Sequence, residues 1–461
     1  MKSMMGSVSR PALETVDFEG MNRIPAPSGL KEERSEIVPG MINVWYEYVP
    51  SSWDGKSEVP LVVQVHGGGN DGRRWADYTV WHLLAEKEGF IVIYPNSPGY
   101  GAWRCDDTDV QYLYDLIERM CVKYRIDRTR IYMQGMSNGD MMTLAFSMKH
   151  PEVLAAAGYI TGPTAEELLD GDRPAGPLPI LQMRGELDVN WHLTPETKDV
   201  YAVRYGMNDL NREIWKEVNG VDGQVPRIAI RGKDNFMVFP GKMAPIINWE
   251  IKGMGHREPT SGAQELWDRL YSGCRRVNGK LVMESPRMEI TGDPDLILLA
   301  LGSRMAWTGN RLVEISSLST GVVRVMLPAQ GRHFCPVELG EMAETEVHCV
   351  PAEFFRNVFG AEMTCTDAGD TVRLVFPDGK DVLLRSKSML VEINGRYEEM
   401  QKPCILLGGA LYVPVAELCR MLLGSFVTVS NDVICIAGHY AELGRYTARL
   451  VCSLLGGKAR E

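Results

Sequence analysis

The sequence predicts an α/β fold, a doubly wound and mostly parallel sheet, followed by a smaller α+β domain built from two repeats. Over the first 280 residues, short continuous apolar runs alternate with helical patterns, as buried parallel strands and their crossover helices do. Glycine-bearing turns follow several of these runs. Beyond that point the runs become shorter and alternating, and one segment recurs.

The elements of the sheet domain follow in a regular order. Parallel strands in one sheet bring their carboxyl ends to the same edge, where such sheets bind ligands. Residues 1–40 contain three prolines after position 24 and little periodicity, so they are assigned to a leader, and residues 190–244 are expected to cap the site. Strands are predicted at 42–49, 60–65, 90–95, 131–134, 155–160, 179–184 and 246–251, and helices at 75–87, 109–124, 210–218 and 261–272.

The second domain contains an internal repeat. Residues 350–360 resemble residues 413–424, and the two copies start 413 − 350 = 63 residues apart. Each copy has Val-Pro, an amphipathic helix, a glycine and then β-rich residues. The predicted domains are therefore a leader (1–40), a sheet domain (41–280), a repeat domain (281–440) and a short helical tail (441–461). The motifs that predict a catalytic site, described below, all lie before residue 280. A chain ending there is therefore expected to fold and act alone.

Composition excludes several classes of protein. A formal charge of −11 and a pI near 5.4 argue against nucleic acid as a partner. The most apolar late run, residues 296–301, is too short to span a membrane, and no signal peptide is visible, so the compartment is left open. The ten cysteines include no Cys-x-x-Cys pair, which favours buried thiols. No metal or cofactor is expected.

The segment around Ser137 predicts a nucleophile. A β-rich run ends in Gly135-Met-Ser-Asn-Gly139 and a helical pattern follows. A strand that turns sharply into a helix around Gly-x-Ser-x-Gly exposes the serine hydroxyl on a strained turn, where the two glycines let neighbouring backbone approach. A glycine-rich turn without chemistry is the alternative interpretation.

A serine nucleophile needs a base and an orienting acid. After Ser137 the chain offers Asp188, following a buried strand, and His256, following the next strong strand, both in glycine-bearing turns. Glu186 is the alternative acid. These side chains are predicted to form the catalytic set with Ser137.

An oxyanion requires backbone amide donors. His66-Gly-Gly-Gly69 follows a buried strand, and its glycines leave amides accessible to a substrate carbonyl. Gly68 and Asn138 are the preferred donors, with Gly69 as an alternative. Three further residues are candidates for substrate contacts: Arg104 and Arg184 for a carboxylate, against ordinary ion pairs, and Trp103 as a stacking wall, against ordinary packing.

The N-terminal domain resembles the polyhydroxybutyrate depolymerase-like and feruloyl esterase-like branch of the α/β-hydrolases, from about Val44 to Arg275. The resemblance implies Ser137, Asp188 and His256 as the triad. Many members follow the histidine with Trp-Pro, whereas this chain has Arg257-Glu-Pro259. The motifs that carry it are Tyr46-x-x-Val-Pro50, Val62-x-x-x-His-Gly-Gly-Gly69, Tyr94-Pro-Asn96, Asp109-Val110, Tyr124-x-Ile-Asp127, Arg130-Ile-Tyr132, Gly135-Met-Ser-Asn-Gly139 and Trp215-x-x-x-Asn-Gly220.

The C-terminal domain is similar to the copper amine oxidase N-terminal-like module. The similarity is clearest in Ile393-Asn-Gly395, Pro403-x-Ile-Leu406, Leu411-Tyr-Val-Pro414 and Val433-Ile-Cys-Ile436. That module does not carry the copper chemistry of the enzyme it is named after. The resemblance implies an attachment domain that contacts a cell surface or polysaccharide, and bacterial proteins that carry it are often exported.

Together these features predict a serine hydrolase that cleaves a small or polymer-linked carboxylic ester through an acyl-enzyme. A serine peptidase on the same fold is one alternative, because the triad also serves amides. A surface-binding protein with an inactive hydrolase domain is an alternative of another class.

Overall fold

The computed structural model describes residues 29–99, 101–162, 171–188, 200–328 and 342–457, with backbone alone for 200–208 and 328. Its largest sheet has ten strands. These are β1 (Lys31–Glu36), β2 (Ile42–Tyr48), β3 (Val59–Val65), β4 (Ile91–Pro95), β5 (Ile126–Met136), β6 (Ala156–Ile160), β7 (Ile180–Gly185), β8 (Arg227–Arg231), β9 (Asp234–Phe239) and β10 (Ile246–Ile251).

The strand order is β1-β2-β4-β3-β5-β6-β7-β10-β9-β8. The six central strands from β4 to β10 are parallel, and the two strands at each edge are antiparallel. The predicted fold class is confirmed. The carboxyl ends of β3, β5, β7 and β10 lie at one edge of the sheet and carry all the predicted catalytic residues.

Helices cover both faces of this sheet. They are α1 (Gly72–Tyr78), α2 (Trp81–Glu88), α3 (Asp107–Lys123), α4 (Asn138–Lys149), α5 (Val200–Val218) and α6 (Gly262–Arg269). In β3, Leu61, Val63 and Val65 join one core with α3 and α4, whereas Val62 joins the other with α1, α2 and α6. A strand buried on both faces reads as a continuous apolar run, which is why β3 was visible in the sequence. The helix predicted at 75–87 is two helices, because Thr79 adopts an extended conformation between them.

Two predictions about the ends of the sheet domain need correction. Residues 31–36, assigned to the leader, form edge strand β1 paired with β2, while residues 1–28 of that leader lie outside the described residues. Strand β1 is polar throughout, because an edge strand facing solvent needs no apolar alternation, so its sequence gave no signal. Strands β8 and β9 extend the sheet from within the segment 190–244 that was expected to form a cap. Residues 190–199 of that segment lie outside the described residues.

The second domain is built mainly from three small sheets. They have the orders β15-β14-β13-β26-β25, β16-β17-β24-β23 and β18-β19-β20-β21-β22, and the hairpin β11-β12 precedes them. The strands are β11 (Cys274–Val277), β12 (Lys280–Met283), β13 (Ile297–Ala300), β14 (Met305–Thr308), β15 (Arg311–Glu314), β16 (Gly321–Pro328), β17 (Met342–Pro351), β18 (Glu362–Thr366), β19 (Thr371–Val375), β20 (Asp381–Arg385), β21 (Leu390–Ile393), β22 (Arg396–Glu399), β23 (Ile405–Leu407), β24 (Ala410–Pro414), β25 (Phe426–Ser430) and β26 (Val433–Ala437).

The repeat is visible in the structure. In each copy a strand ending in proline, β17 or β24, leads into a helix, α7 (Glu353–Phe359) or α8 (Val415–Leu423), and then into a left-handed glycine and a hairpin. Gly360 and Gly424 have φ of 72° and 65°. The ends of β17 and β24 pair with each other, and the two helices share one core.

The two domains are in direct contact. Edge strand β8 is covered by the second domain: Trp307 donates to the carbonyl of Pro226 at 3.0 Å, and Arg231 pairs with Asp293 at 2.7 Å. A last helix, α9 (Arg445–Leu454), returns to the carboxyl edge of the large sheet. Residues beyond 280 therefore contact the sheet domain at edge strand β8 and at its carboxyl edge, and the independent folding and activity of a chain ending near 280 stay a prediction. No helix among the described residues is long and apolar enough to cross a membrane.

Candidate active site

Ser137 occupies a sharp turn between β5 and α4. Its φ of 57° and ψ of −117° lie outside the regions that ordinary residues favour, so the surrounding structure must hold the turn. The flanking glycines are required for space. A Cβ on Gly135 would lie 2.0 Å from the carbonyl oxygen of Gly139, and a Cβ on Gly139 would lie 2.2 Å from that of Val65. The motif therefore forms the turn that the sequence predicted.

The structure brings the three predicted side chains together in a chain of hydrogen bonds. The Oγ of Ser137 lies 2.9 Å from Nε2 of His256. The Nδ1 of the same ring lies 2.8 Å from Oδ1 of Asp188. Asp188 is buried, with 7 % exposure, whereas the imidazole is 31 % exposed at the site entrance. With Nδ1–H donating to the carboxylate, Nε2 is free to accept the serine proton.

Two backbone segments present these side chains. We call residues 186–188, after β7, the acid loop, and residues 252–256, after β10, the base loop. The loops are joined by main-chain hydrogen bonds, because Leu187 donates from its amide to the carbonyl of Met254 at 2.8 Å. A Cβ on Gly185 would lie 2.2 Å from that same carbonyl oxygen, so the strand end must be glycine for the loops to meet.

The alternative acid, Glu186, faces away from the histidine. Its Oε2 accepts from the amide of Gly253 at 2.9 Å, and its Oε1 accepts from the amide of Arg445 at 3.1 Å and from Lys252 at 3.3 Å. The geometry therefore assigns Glu186 to backbone support and leaves the histidine to Asp188.

Two of the three predicted oxyanion donors are available. In the described part of the chain, the amides of Gly68 and Asn138 have no hydrogen-bond acceptor. A Cβ on Gly68 would lie 3.7 Å from the Cβ of Asn138, so the two backbones lie side by side. The amide of Gly69 instead donates to the carbonyl of Gly101 at 2.7 Å. Gly69 is therefore wrong as a donor, and its bond anchors the loop.

His66 holds the loop that contains Gly68. The amide of Ser97 donates to Nε2 of His66 at 3.1 Å, so the ring proton is on Nδ1, which donates to the carbonyl of Gly67 at 2.8 Å. That carbonyl belongs to the same peptide unit as the amide of Gly68, so fixing one fixes the other. Burial lowers the pKa of His66 and keeps its ring neutral. Sequence reasoning used His66 only as part of the motif and missed this role.

Trp103 is a buried structural residue. Its side chain is 3 % exposed and its indole donates to the carbonyl of His66 at 3.0 Å. The side-chain amide of Asn138 accepts from the backbone amide of Trp103 at 2.6 Å and donates to its carbonyl at 2.9 Å. The stacking-wall prediction for Trp103 is wrong, because the indole is buried and bonded to the oxyanion loop, residues 66–69, while the backbone of Trp103 bonds to the elbow.

The two arginine candidates have contacts of their own. Arg104 is exposed and its Nε lies 3.4 Å from a carboxylate oxygen of Asp106. The guanidinium of Arg184 lies over the ring of Tyr446, 4.8 Å from its centroid. Neither is seen to contact Ser137 or His256 in the parts of the chain described, and a substrate contact for either stays a prediction.

One further acidic group lies beside the elbow. Asp140, in the first turn of α4, is 4 % exposed, and its carboxylate accepts from the amide of Gly162 at 2.6 Å. Burial raises the pKa of the Asp140 carboxyl to about 8, against the opposing effects of that hydrogen bond and of Arg184, with Asp188 adding to the rise. Across the described residues, no group of His, Cys, Asp or Glu is arranged to hold a metal ion.

The chain is similar to known esterases over part of its length. Residues 46–168 match the sequence profile of the family described as Esterase PHB depolymerase. The bifunctional acetylxylan esterase/xylanase XynS20E of Neocallimastix patriciarum is 32 % identical over 31 % of this chain and 21 % of its own length. Feruloyl esterase B of Neurospora crassa is 30 % identical over 25 % of this chain and 43 % of its own.

Among solved structures, acetyl xylan esterase from Aspergillus awamori aligns with 51 % of this chain and 97 % of its own, at 20 % identity and a TM-score of 0.41. The chain thus spans less than half the length of the two curated relatives. The matched segment contains the oxyanion loop and the elbow. The resemblance inferred from the sequence is confirmed over residues 46–168: this segment matches the Esterase PHB depolymerase profile, and the chain is similar over part of its length to acetylxylan and feruloyl esterases.

Proposed function

We propose that the chain is a serine hydrolase that cleaves carboxylic esters through an acyl-enzyme intermediate. The observation that carries the proposal is the continuous hydrogen-bonded series Ser137–His256–Asp188 beside the amides of Gly68 and Asn138. The esterase names of the relatives support the ester linkage as the substrate.

In the first half-reaction, the Oγ of Ser137 attacks the ester carbonyl carbon while Nε2 of His256 takes the hydroxyl proton. The carbonyl oxygen becomes an oxyanion that accepts hydrogen bonds from the amides of Gly68 and Asn138. The bond to the alcohol oxygen then breaks, and the alcohol leaves with the proton from Nε2. Asp188 stabilises the imidazolium while it exists.

In the second half-reaction, water attacks the acyl carbon as His256 takes one of its protons. The bond between the acyl carbon and the Oγ of Ser137 breaks, the serine recovers its proton, and the carboxylic acid is released. Every step uses side chains and amides of this chain, so no metal or cofactor is needed.

We propose an acyl group of acetyl or hydroxycinnamoyl type on a small or polymer-linked alcohol, in keeping with the names of the relatives. Contact of the C-terminal domain with a polysaccharide or cell surface stays a prediction from its resemblance alone. If that contact exists, changing exposed residues of the repeat domain should lower activity on a polymeric substrate and leave activity on a small ester unchanged.

The test is turnover of a panel of chromogenic acetyl, butyryl and hydroxycinnamoyl esters, with a peptide anilide alongside, and labelling by a fluorophosphonate probe. We expect ester hydrolysis, labelling of Ser137 alone, and unchanged rates in EDTA. Preferential cleavage of the anilide would identify a peptidase. A folded chain with neither turnover nor labelling would identify an inactive hydrolase domain, and loss of activity in EDTA would refute the metal-free mechanism.

A further inference from the structure

The last helix of the chain, α9, begins against the sheet edge that carries the acid and base loops. The first amides of a helix have no partner within it, and the helix dipole favours negative charge there. In α9, the amide of Arg445 donates to Glu186 at 3.1 Å, and those of Tyr446 and Thr447 donate to the two carboxylate oxygens of Glu250 at 3.0 and 2.7 Å. Two carboxylates of the hydrolase domain thus cap a helix that lies 196 to 259 residues further along the chain.

Glu186 joins this helix to both loops at once. It belongs to the acid loop, two residues before Asp188, and its other oxygen accepts from the amide of Gly253 in the base loop at 2.9 Å. Lys252, also in the base loop, donates to the carbonyl of Leu443 at 2.9 Å, just before the helix. One carboxylate and one lysine therefore connect the acid loop, the base loop and the start of α9.

The fit at the start of α9 leaves no space for a side chain. Gly444 has an ordinary extended backbone, with φ of −76°, so its need for glycine is not conformational. A Cβ at this position would lie 2.4 to 2.7 Å from the carboxylate atoms of Glu250. Glu250 itself is 1 % exposed and also accepts from the hydroxyl of Thr447 at 2.7 Å.

The rest of α9 has a different environment. Val451 and Cys452 are buried in the apolar core shared with strands β13 and β26 of the second domain. The far part of the helix thus anchors it to the second domain through apolar packing, while its first turn contacts the edge that carries the proposed acid and base.

We propose that Glu186, Glu250 and the first turn of α9 are positioning elements of the active site, which keep the acid and base loops in register so that His256 lies between Asp188 and Ser137. This inference rests on the proposed function. It makes the start of α9 a part of the site, although none of the described residues of that helix is seen to contact the serine.

The test uses variants of the full-length chain at the start of α9. Gly444→Ala introduces the clash with Glu250, Thr447→Val removes one hydroxyl bond, and Thr447→Ser keeps that bond as the rescue. Val451→Ala is the matched control, because it weakens the same helix away from the loops. The measurements are kcat and KM on a small soluble ester, the melting temperature, and the low-field proton resonance of the hydrogen bond between His256 and Asp188.

We expect Gly444→Ala to lower kcat by about 10- to 100-fold with KM changed less than about threefold, because small displacements of catalytic groups are costly. Thr447→Val should show a smaller loss in kcat that Thr447→Ser restores. Val451→Ala should lower the melting temperature and leave kcat unchanged below it. If Gly444→Ala fails to fold, the comparison of the two Thr447 variants decides.

A purely structural role would give the opposite pattern. Gly444→Ala and Thr447→Val would then lower the melting temperature with kcat intact, or Val451→Ala would lower kcat as much as they do. Either result overturns the inference. If the wild-type chain neither cleaves esters nor binds the probe, the proposed function fails. The resonance then decides this inference alone: it must persist in Val451→Ala and shift or disappear in Gly444→Ala.

Discussion

The candidate site has two halves that are supported in different ways. The nucleophile half consists of Ser137 with the amides of Gly68 and Asn138. Its supports, His66 and Trp103, lie within residues 46–168, the segment that matches the family profile. The acid–base half consists of Asp188 and His256, and it is supported by a helix that begins at residue 445.

The difference shows that one site can be assembled by two kinds of contact. In the nucleophile half, hydrogen bonds among neighbouring loops of one sheet fix the geometry. In the acid–base half, two buried carboxylates accept hydrogen bonds from the amides of a distant helix, so by our proposal this half also depends on residues 445–447. Variants in the two halves should therefore affect activity by different routes.

The largest expected effect comes from removing a catalytic side chain from either half, because the two halves should act as one unit. Ser137→Ala and His256→Ala should each lower kcat by about 10⁴-fold or more, and the double variant should be little worse, because members of a triad act together. Steady-state kinetics with active-site labelling measures this. Independent, multiplying losses, or labelling that survives in Ser137→Ala, would show that the halves do not share one mechanism.

The next largest effect should distinguish the proposed catalytic acid of the acid–base half from the carboxylate that positions its loops. Asp188→Asn should lower kcat by about 10²- to 10⁴-fold, because the wrong histidine tautomer is then favoured. Glu186→Gln should cost at least about tenfold less, since it weakens only the positioning of the loops. Kinetics of both variants on one ester decides, and the reverse ranking would make Glu186 the acid.

A smaller effect should come from removing the side-chain hydrogen bonds that position the nucleophile half. Asn138→Ala keeps the backbone donor but loses both bonds to Trp103, and it should lower kcat by about tenfold. Asn219 is the matched control, because its side chain makes the same pair of bonds to the backbone of Leu178, at 3.0 and 2.8 Å, beside the opposite end of β7. Asn219→Ala should cost stability and leave kcat unchanged below its melting temperature. Equal losses of kcat would refute a specific role for Asn138.

The smallest effect concerns stability beside the elbow. The pKa of Asp140 is about 8 in the folded chain, against 3.8 as its ordinary value. Between pH 3.8 and about 8 the Asp140 carboxyl is deprotonated in the unfolded chain and protonated in the folded chain. The free energy of unfolding of the wild type therefore falls as pH rises toward 8. Above that pH the group makes no further contribution to the pH dependence. The slope from this group is at most about 1.4 kcal/mol per pH unit.

Asp140→Asn removes that slope. Urea unfolding of both chains at pH 5, 6, 7 and 8 should show the wild type losing more stability than the variant over this range. Parallel curves would mean that the carboxylate is ionised in the folded chain at neutral pH, and that the buried charge is accommodated beside the elbow.

The central strands of the sheet, the elbow and the order of the proposed acid and base could be predicted from the sequence alone. These features have local signals: continuous apolar runs for strands buried on both faces, glycines where backbones approach, and polar residues directly after strands. The six central strands and the residues at their ends could therefore be predicted one segment at a time. The polar edge strand β1 could not, because it buries too little to impose a pattern.

The contacts of those residues became known only from the folded structure. It placed Trp103 in the core, bonded the amide of Gly69 to the carbonyl of Gly101, and turned Glu186 from the histidine toward the start of α9. Each outcome depends on a partner in another segment, and for Glu186 that partner lies at residue 445. The hydrophobic periodicity and turn residues of a segment indicate only its own secondary structure. The pairing of a carboxylate with a distant helix is established only when the domains pack together.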